Sequence, residues 1–102
     1  MQAPKPDRID SAGAEGLAVA ALSHVAGDPV LLPRFLALTG IEPGRIREVA
    51  GEPGFLAGVL QFLLAHEPTL MGFCEAQGVK PEHVSAALRA LPFGDDRFEA
   101  ST

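Results

Sequence analysis

Residues Phe35 to Val49 read FLALTGIEPGRIREV, and residues Phe73 to Ala87 read FCEAQGVKPEHVSAA. Aligned at an offset of 38 (Phe35 to Phe73), the two stretches match where shape is set. Phe35 falls on Phe73, Gly40 on Gly78, Ile41 on Val79, Pro43 on Pro81 and Ile46 on Val84. The shared grammar is a helix, a glycine that stops it in a left-handed turn, a buried turn residue, and a proline that starts the next helix. Upstream, Asp28-Pro29 parallels Glu67-Pro68 after a slip of one residue. This predicts two three-helix pseudo-repeats, residues 11–51 and 52–91, packed face to face. Two copies are too few for an extended solenoid.

Outward from these stretches the helical signal continues. Apolar residues recur at helical spacing, and neither period-2 alternation nor an Asn-Gly or Asp-Gly hairpin signal appears. Pro29, Pro43, Pro53, Pro68 and Pro81 each open an apolar-periodic stretch. Four come directly after an acid (Asp28, Glu42, Glu52, Glu67), which suits the positive end of a helix dipole. The predicted fold is all-α, a compact bundle of about six short helices with helix-turn-helix-like glycine turns. The helices are expected at 11–26 (capped by Asp10 or Ser11), 29–39, 43–50, 53–66, 68–77 and 81–91. The first should bury Leu17, Ala18, Ala21, Leu22 and Val25; the second, with Pro33 bending it or delaying its start, should bury Leu32, Phe35, Leu36 and Leu38. The fourth has almost no polar face and is expected at the centre, or half in an interface. Its Gly54 and Gly58, four apart, leave room for another backbone. Leu60, Leu63 and Leu64 require a second surface, from the second repeat or from another subunit.

The run from Arg34 to Leu64, RFLALTGIEPGRIREVAGEPGFLAGVLQFLL, resembles a small alphaproteobacterial, all-helical family catalogued as domain of unknown function 3572. The resemblance is carried by the Asp28-Pro29 pair, the FLALTGI turn (Phe35 to Ile41), the PGFLAGVL start of the fourth helix and Glu67-Pro68. It covers about Leu17 to Leu91. What it implies is a compact helical protein of uncharacterised function, with no activity, cofactor or catalytic residue to transfer.

The 102 residues suffice for one domain, expected over residues 11–92. A flexible tail is expected at residues 1–10 and an acidic one, bearing Asp95, Asp96 and Glu99, at 93–102. At 47% hydrophobic the chain is too apolar for intrinsic disorder. Its longest apolar run, Leu17 to Leu22, falls far short of the roughly 20 residues a membrane span needs. No secretory signal is legible. Cys74 is the one cysteine, so no intramolecular disulfide forms and a reducing, cytoplasmic setting is expected.

Eight basic and thirteen acidic residues leave a net charge of −5, which opposes binding to nucleic acid and to anionic lipid. His24, His66 and His83 lack partners at metal-ligand spacing, and Cys74 lacks a second thiol. His24 and His66 read as cations near helix C-termini, and Cys74, aligned with Leu36, as a small core residue. No glycine-rich phosphate loop stands behind a strand. Hence no enzymatic activity, metal, cofactor or small-molecule substrate is expected. The leading reading is a non-catalytic protein-interaction module that binds a partner protein or self-associates. The alternative is a helix-turn-helix DNA binder or transcription-associated regulator, reading DNA with Arg45 and Arg47 or with His83 and Arg89. The candidate interaction surface is Arg34, Arg45, Arg47, Gly58 and Leu63.

Overall fold

A computed structural model describes residues 9–92 and Gly94. The expected tails, Phe93 and the C-terminal acids among them, lie outside the described residues apart from Ile9, Asp10 and Gly94. Six α-helices run in order: α1 Ser11–Ala26, α2 Leu31–Thr39, α3 Ile46–Val49, α4 Phe55–Leu64, α5 Glu67–Gln77 and α6 Pro81–Ala90. A 3-10 turn, Pro43–Arg45, leads into α3. There is no strand among the described residues, so the all-α bundle holds.

α1 starts where its cap predicts: the Asp10 carboxylate accepts the Gly13 N–H at 2.8 Å. Its buried face is narrower in bulk than expected. Ala14, Ala18, Ala21 and Val25 are fully covered, while Leu17 and Leu22 are only half-buried. An alanine stripe lets the helix axis come close to its neighbours, and α1 lies chiefly against α4 and α6. α4 packs in turn on α1, α5 and α6, and is the apolar centre of the bundle. Val59, Leu60 and Leu63 are fully buried there. The second surface that α4 needed is therefore supplied by the same chain.

α2 departs furthest from expectation. Asp28 caps it, accepting from Val30 N–H at 2.8 Å and Leu31 N–H at 3.0 Å. Pro33 has no N–H to offer the Pro29 carbonyl, so the regular helix begins at Leu31 rather than Pro29. Of its apolar residues only Phe35 is fully buried; Leu32 and Leu36 are half-buried and Leu38 is 71% exposed, which corrects the expected burial of Leu38. Phe35 pins α2 by two edge-on aromatic contacts, to Phe62 at 5.3 Å and Phe55 at 6.0 Å.

α4 begins at Phe55, not Pro53. Gly54 sits at φ 90°, ψ −11°, and Phe55 N–H donates to the Glu52 carbonyl at 3.2 Å. Pro53-Gly54 thus fits the middle of a type II turn, which needs a positive φ at its second central residue. The turn glycines behave as the matched stretches require: Gly40 has φ 75° and Gly78 has φ 70°. Phe35 and Phe73 are both fully buried, and Ile41 and Val79 are both half-buried. The closures differ. Val79 N–H reaches back to the Cys74 carbonyl at 3.0 Å, the long bond of a Schellman turn. Ile41 N–H instead meets Thr39 Oγ1 at 3.4 Å. The halves also differ in seating: α5 packs on α4 and α6, whereas α2 lies chiefly against α1.

No single helix among the described residues is long and apolar enough to cross a membrane. α1 and α2 reach that length and hydropathy only as a pair, and they are bent by 110° at the break between them.

Candidate interaction surface

Apolar residues left at the surface are the first guide to a binding face, because burial of such groups is what association gains. α2 carries two of them. Val30, just ahead of its first residue, is 62% exposed, and Leu38, in its last turn, is 71% exposed. Arg34 lies midway between them at helical spacing and is exposed as well. The three form one outward stripe at i, i+4 and i+8.

Beside this stripe runs a cleft of about 210 Å³ between the α2 end, the 41–53 segment and the start of α4. Phe35 and Phe55 contribute to its walls, with Ile41, Val49 and Pro53. Gly58 lines it too, and a Cβ built there would meet no atom within 4 Å. The cleft thus stays open because α4 presents a glycine where a larger side chain would stand. Glu52 is the one charged residue in its lining.

Of the five residues singled out from the sequence, Arg34 lies on the exposed stripe of α2 and Gly58 lines the adjoining cleft. Arg45 and Arg47 are exposed around α3, and Arg45 Nε donates to Glu48 Oε1 at 2.9 Å in an exposed ion pair. Leu63 is no surface residue: it is 0% exposed, enclosed by the chain itself. Val30 and Leu38 were not singled out. The signal for them was present, since a nine-residue helix that is apolar on nearly every side has more greasy surface than one neighbour can cover.

The titratable groups have structural engagements. His66 stands between α4 and α5, at the N-cap position of α5, and its Nδ1 shares a hydrogen bond of 2.7 Å with Thr69 Oγ1, satisfying that buried hydroxyl. The His24 ring stands edge-on to Phe73 at 5.4 Å. His83 Nδ1 accepts the Lys80 N–H at 3.1 Å at the start of α6. Burial pushes the Cys74 thiol above its ordinary range, and the Glu82 carboxylate adds to that, so the sulfur is a poor nucleophile. Among the described residues, no three His, Cys, Asp or Glu side chains gather as a metal site.

The family model described as protein of unknown function (DUF3572) matches residues 11–94, and the chain belongs to that family. No curated protein and no solved structure matches the chain.

Proposed function

We propose that the protein is a non-catalytic interaction module, and that its binding face is the outer stripe of α2 with the adjoining cleft. The observation that carries this reading is the exposure of Val30 and Leu38 on a helix held to the body by Phe35. Exposed aliphatic residues flanking an arginine, next to an apolar cleft, suit the apolar side of a partner protein's helix. The reading places the module in a reducing, cytoplasmic setting, supported by its having one cysteine and so no intramolecular disulfide.

The helix-turn-helix alternative has the left-handed turns at Gly40 and Gly78 in its favour. The helices behind those turns weaken it. α3 is four residues long, and Arg45 is engaged by Glu48. At the start of α6 stands Glu82, an acid where a reading helix presents its groups to DNA, and His83 is turned back onto Lys80.

The test is capture of partners from the native cell by wild-type protein, Leu38→Asp and Gly58→Leu in parallel. Both substitutions change the face without entering the core. A specific partner held by the wild type and lost by both helical, folded variants is expected. Retention of every captured partner by both variants overturns the reading.

A further inference from the structure

Residues 28–54, which carry α2, the 3-10 turn and α3, bury one side chain fully, Phe35. The matching part of the second half is seated differently. There α5 buries Thr69, Leu70, Phe73 and Cys74, and α6 buries Val84, Ala86, Ala87 and Leu88. In residues 28–54, Leu32, Leu36, Ile46 and Val49 are only half-buried against the core. Among the described residues, the hydrogen bonds of residues 29–51 all stay between 28 and 52, and so does the Arg45–Glu48 ion pair. Apolar contact therefore fastens this segment to the body. That contact is incomplete, because the cleft of about 210 Å³ lies along the seam. Phe35, Thr39, Ile41 and Val49 face it from the segment, and Phe55 and Gly58 face it from α4. Side chains that line a gap lose the dispersion contacts a closed seam would give. Both ends of the segment are turns: Gly27 closes α1 ahead of a 110° bend, and Gly54 has φ 90°.

We propose that residues 28–54 form a strap that opens as one unit, with Phe35 as its latch, and uncovers the α4 face bearing Phe55 and Phe62. Local opening draws on segments with few buried apolar groups, while the segments that bury most open only with the whole fold. The strap is of the first kind. Apart from Phe35, the buried core comes from α1, α4, α5, α6 and Leu91. Withdrawing Phe35 breaks its edge-on contacts with Phe55 and Phe62 together, so one side chain decides whether the strap is seated. Opening widens the cleft of the proposed binding face, but it belongs to the chain alone and does not depend on a partner.

Native-state hydrogen exchange of the full chain, read across urea concentrations below the unfolding transition, tests the strap. In the wild type, α2 amides should be protected at least about tenfold less than those of α4 and α6 and should respond less to urea, because opening the strap exposes less surface than unfolding the chain. Val84→Ala, in the core of α6, should lower the protection of α4 and α6 about tenfold and leave that of α2 unchanged. Phe35→Ala should leave α2 unprotected while α4 and α6 remain protected. Three results overturn the proposal: α2 amides that match α4 in protection and urea response in the wild type, Val84→Ala lowering α2 as much as α4, or Phe35→Ala abolishing protection in α4 and α6 as well.

Discussion

Gly40 and Gly58 both open onto empty space, yet substitution should move stability in opposite directions. Gly40 has φ 75°, a region that side chains resist, so the cost is in the backbone and not in a clash. Gly40→Val should destabilise by more than about 1 kcal/mol in urea unfolding. Gly58 lies inside α4, where glycine is the poorer helix former, and Gly58→Ala should stabilise by up to about 1 kcal/mol in the same measurement. Asp28 gives the residue scale its pH dependence. The Leu31 N–H, then the Val30 N–H, hold its carboxyl below the ordinary value of 3.8, with a smaller contribution from His24. A carboxylate whose folded value is lowered stabilises the fold above the unfolded value and loses that contribution as pH falls through the folded one. Asp28→Ala should therefore be less stable than the wild type at neutral pH, and the gap should close in acid below that ordinary value. An unchanged gap across the titration would remove the capping role.

At the scale of elements, α1 shows how a helix can be central without bulk. Ala14, Ala18 and Ala21 are fully buried where α1 approaches α4 and α6, so the space there is already filled by the neighbours' side chains. Ala18→Leu should cost about 1–3 kcal/mol by overpacking, although it adds apolar surface to a core position; thermal unfolding of the pair measures it. The element order and the αL glycines Gly40 and Gly78 were legible because each has a local cause: Asp10 and Asp28 accept backbone N–H groups, and a glycine must reverse the chain. What packs on what was less legible. Leu38 and Phe35 are equally apolar in sequence, and only the placement of α4, with Phe55 and Phe62 around Phe35, decides which of them is covered. Pro53-Gly54 and Pro43-Gly44 look alike, yet the first makes a turn with a positive φ and the second enters a 3-10 helix. The apolar run behind Pro53 points to a helix start at 53, and the positive φ of Gly54 is what moves that start to Phe55. Arg34 and Gly58 were legible as surface candidates by type and position; Leu63 was not, because a helix apolar on all sides does not announce which side its own chain covers.

On the scale of the whole molecule, charge and helix length bear on the proposed reading of the glycine turns. The described cations are divided: Arg34, Arg45 and Arg47 lie around α2 and α3, while Lys80 and Arg89 belong to α6, whose main neighbours are α1, α4 and α5. Each neutralised phosphate contributes to affinity by releasing a counterion, so a DNA-binding face needs several cations that act together. Here Arg45 already answers Glu48, and the four-residue α3 offers barely one turn to a groove. A net charge of −5 adds long-range repulsion from the polyanion. Binding to random duplex DNA at physiological salt should therefore be no tighter than the non-specific range, a Kd on the order of 10⁻⁴–10⁻⁶ M. A gel shift across protein concentrations, repeated with Arg45→Ala plus Arg47→Ala, measures this. No shift at nanomolar protein is expected, and any shift at higher concentration should fall steeply with salt. A nanomolar complex abolished by the double substitution would instead show that α3 and its preceding turn read DNA despite their length, and the ranking of the two functions would reverse.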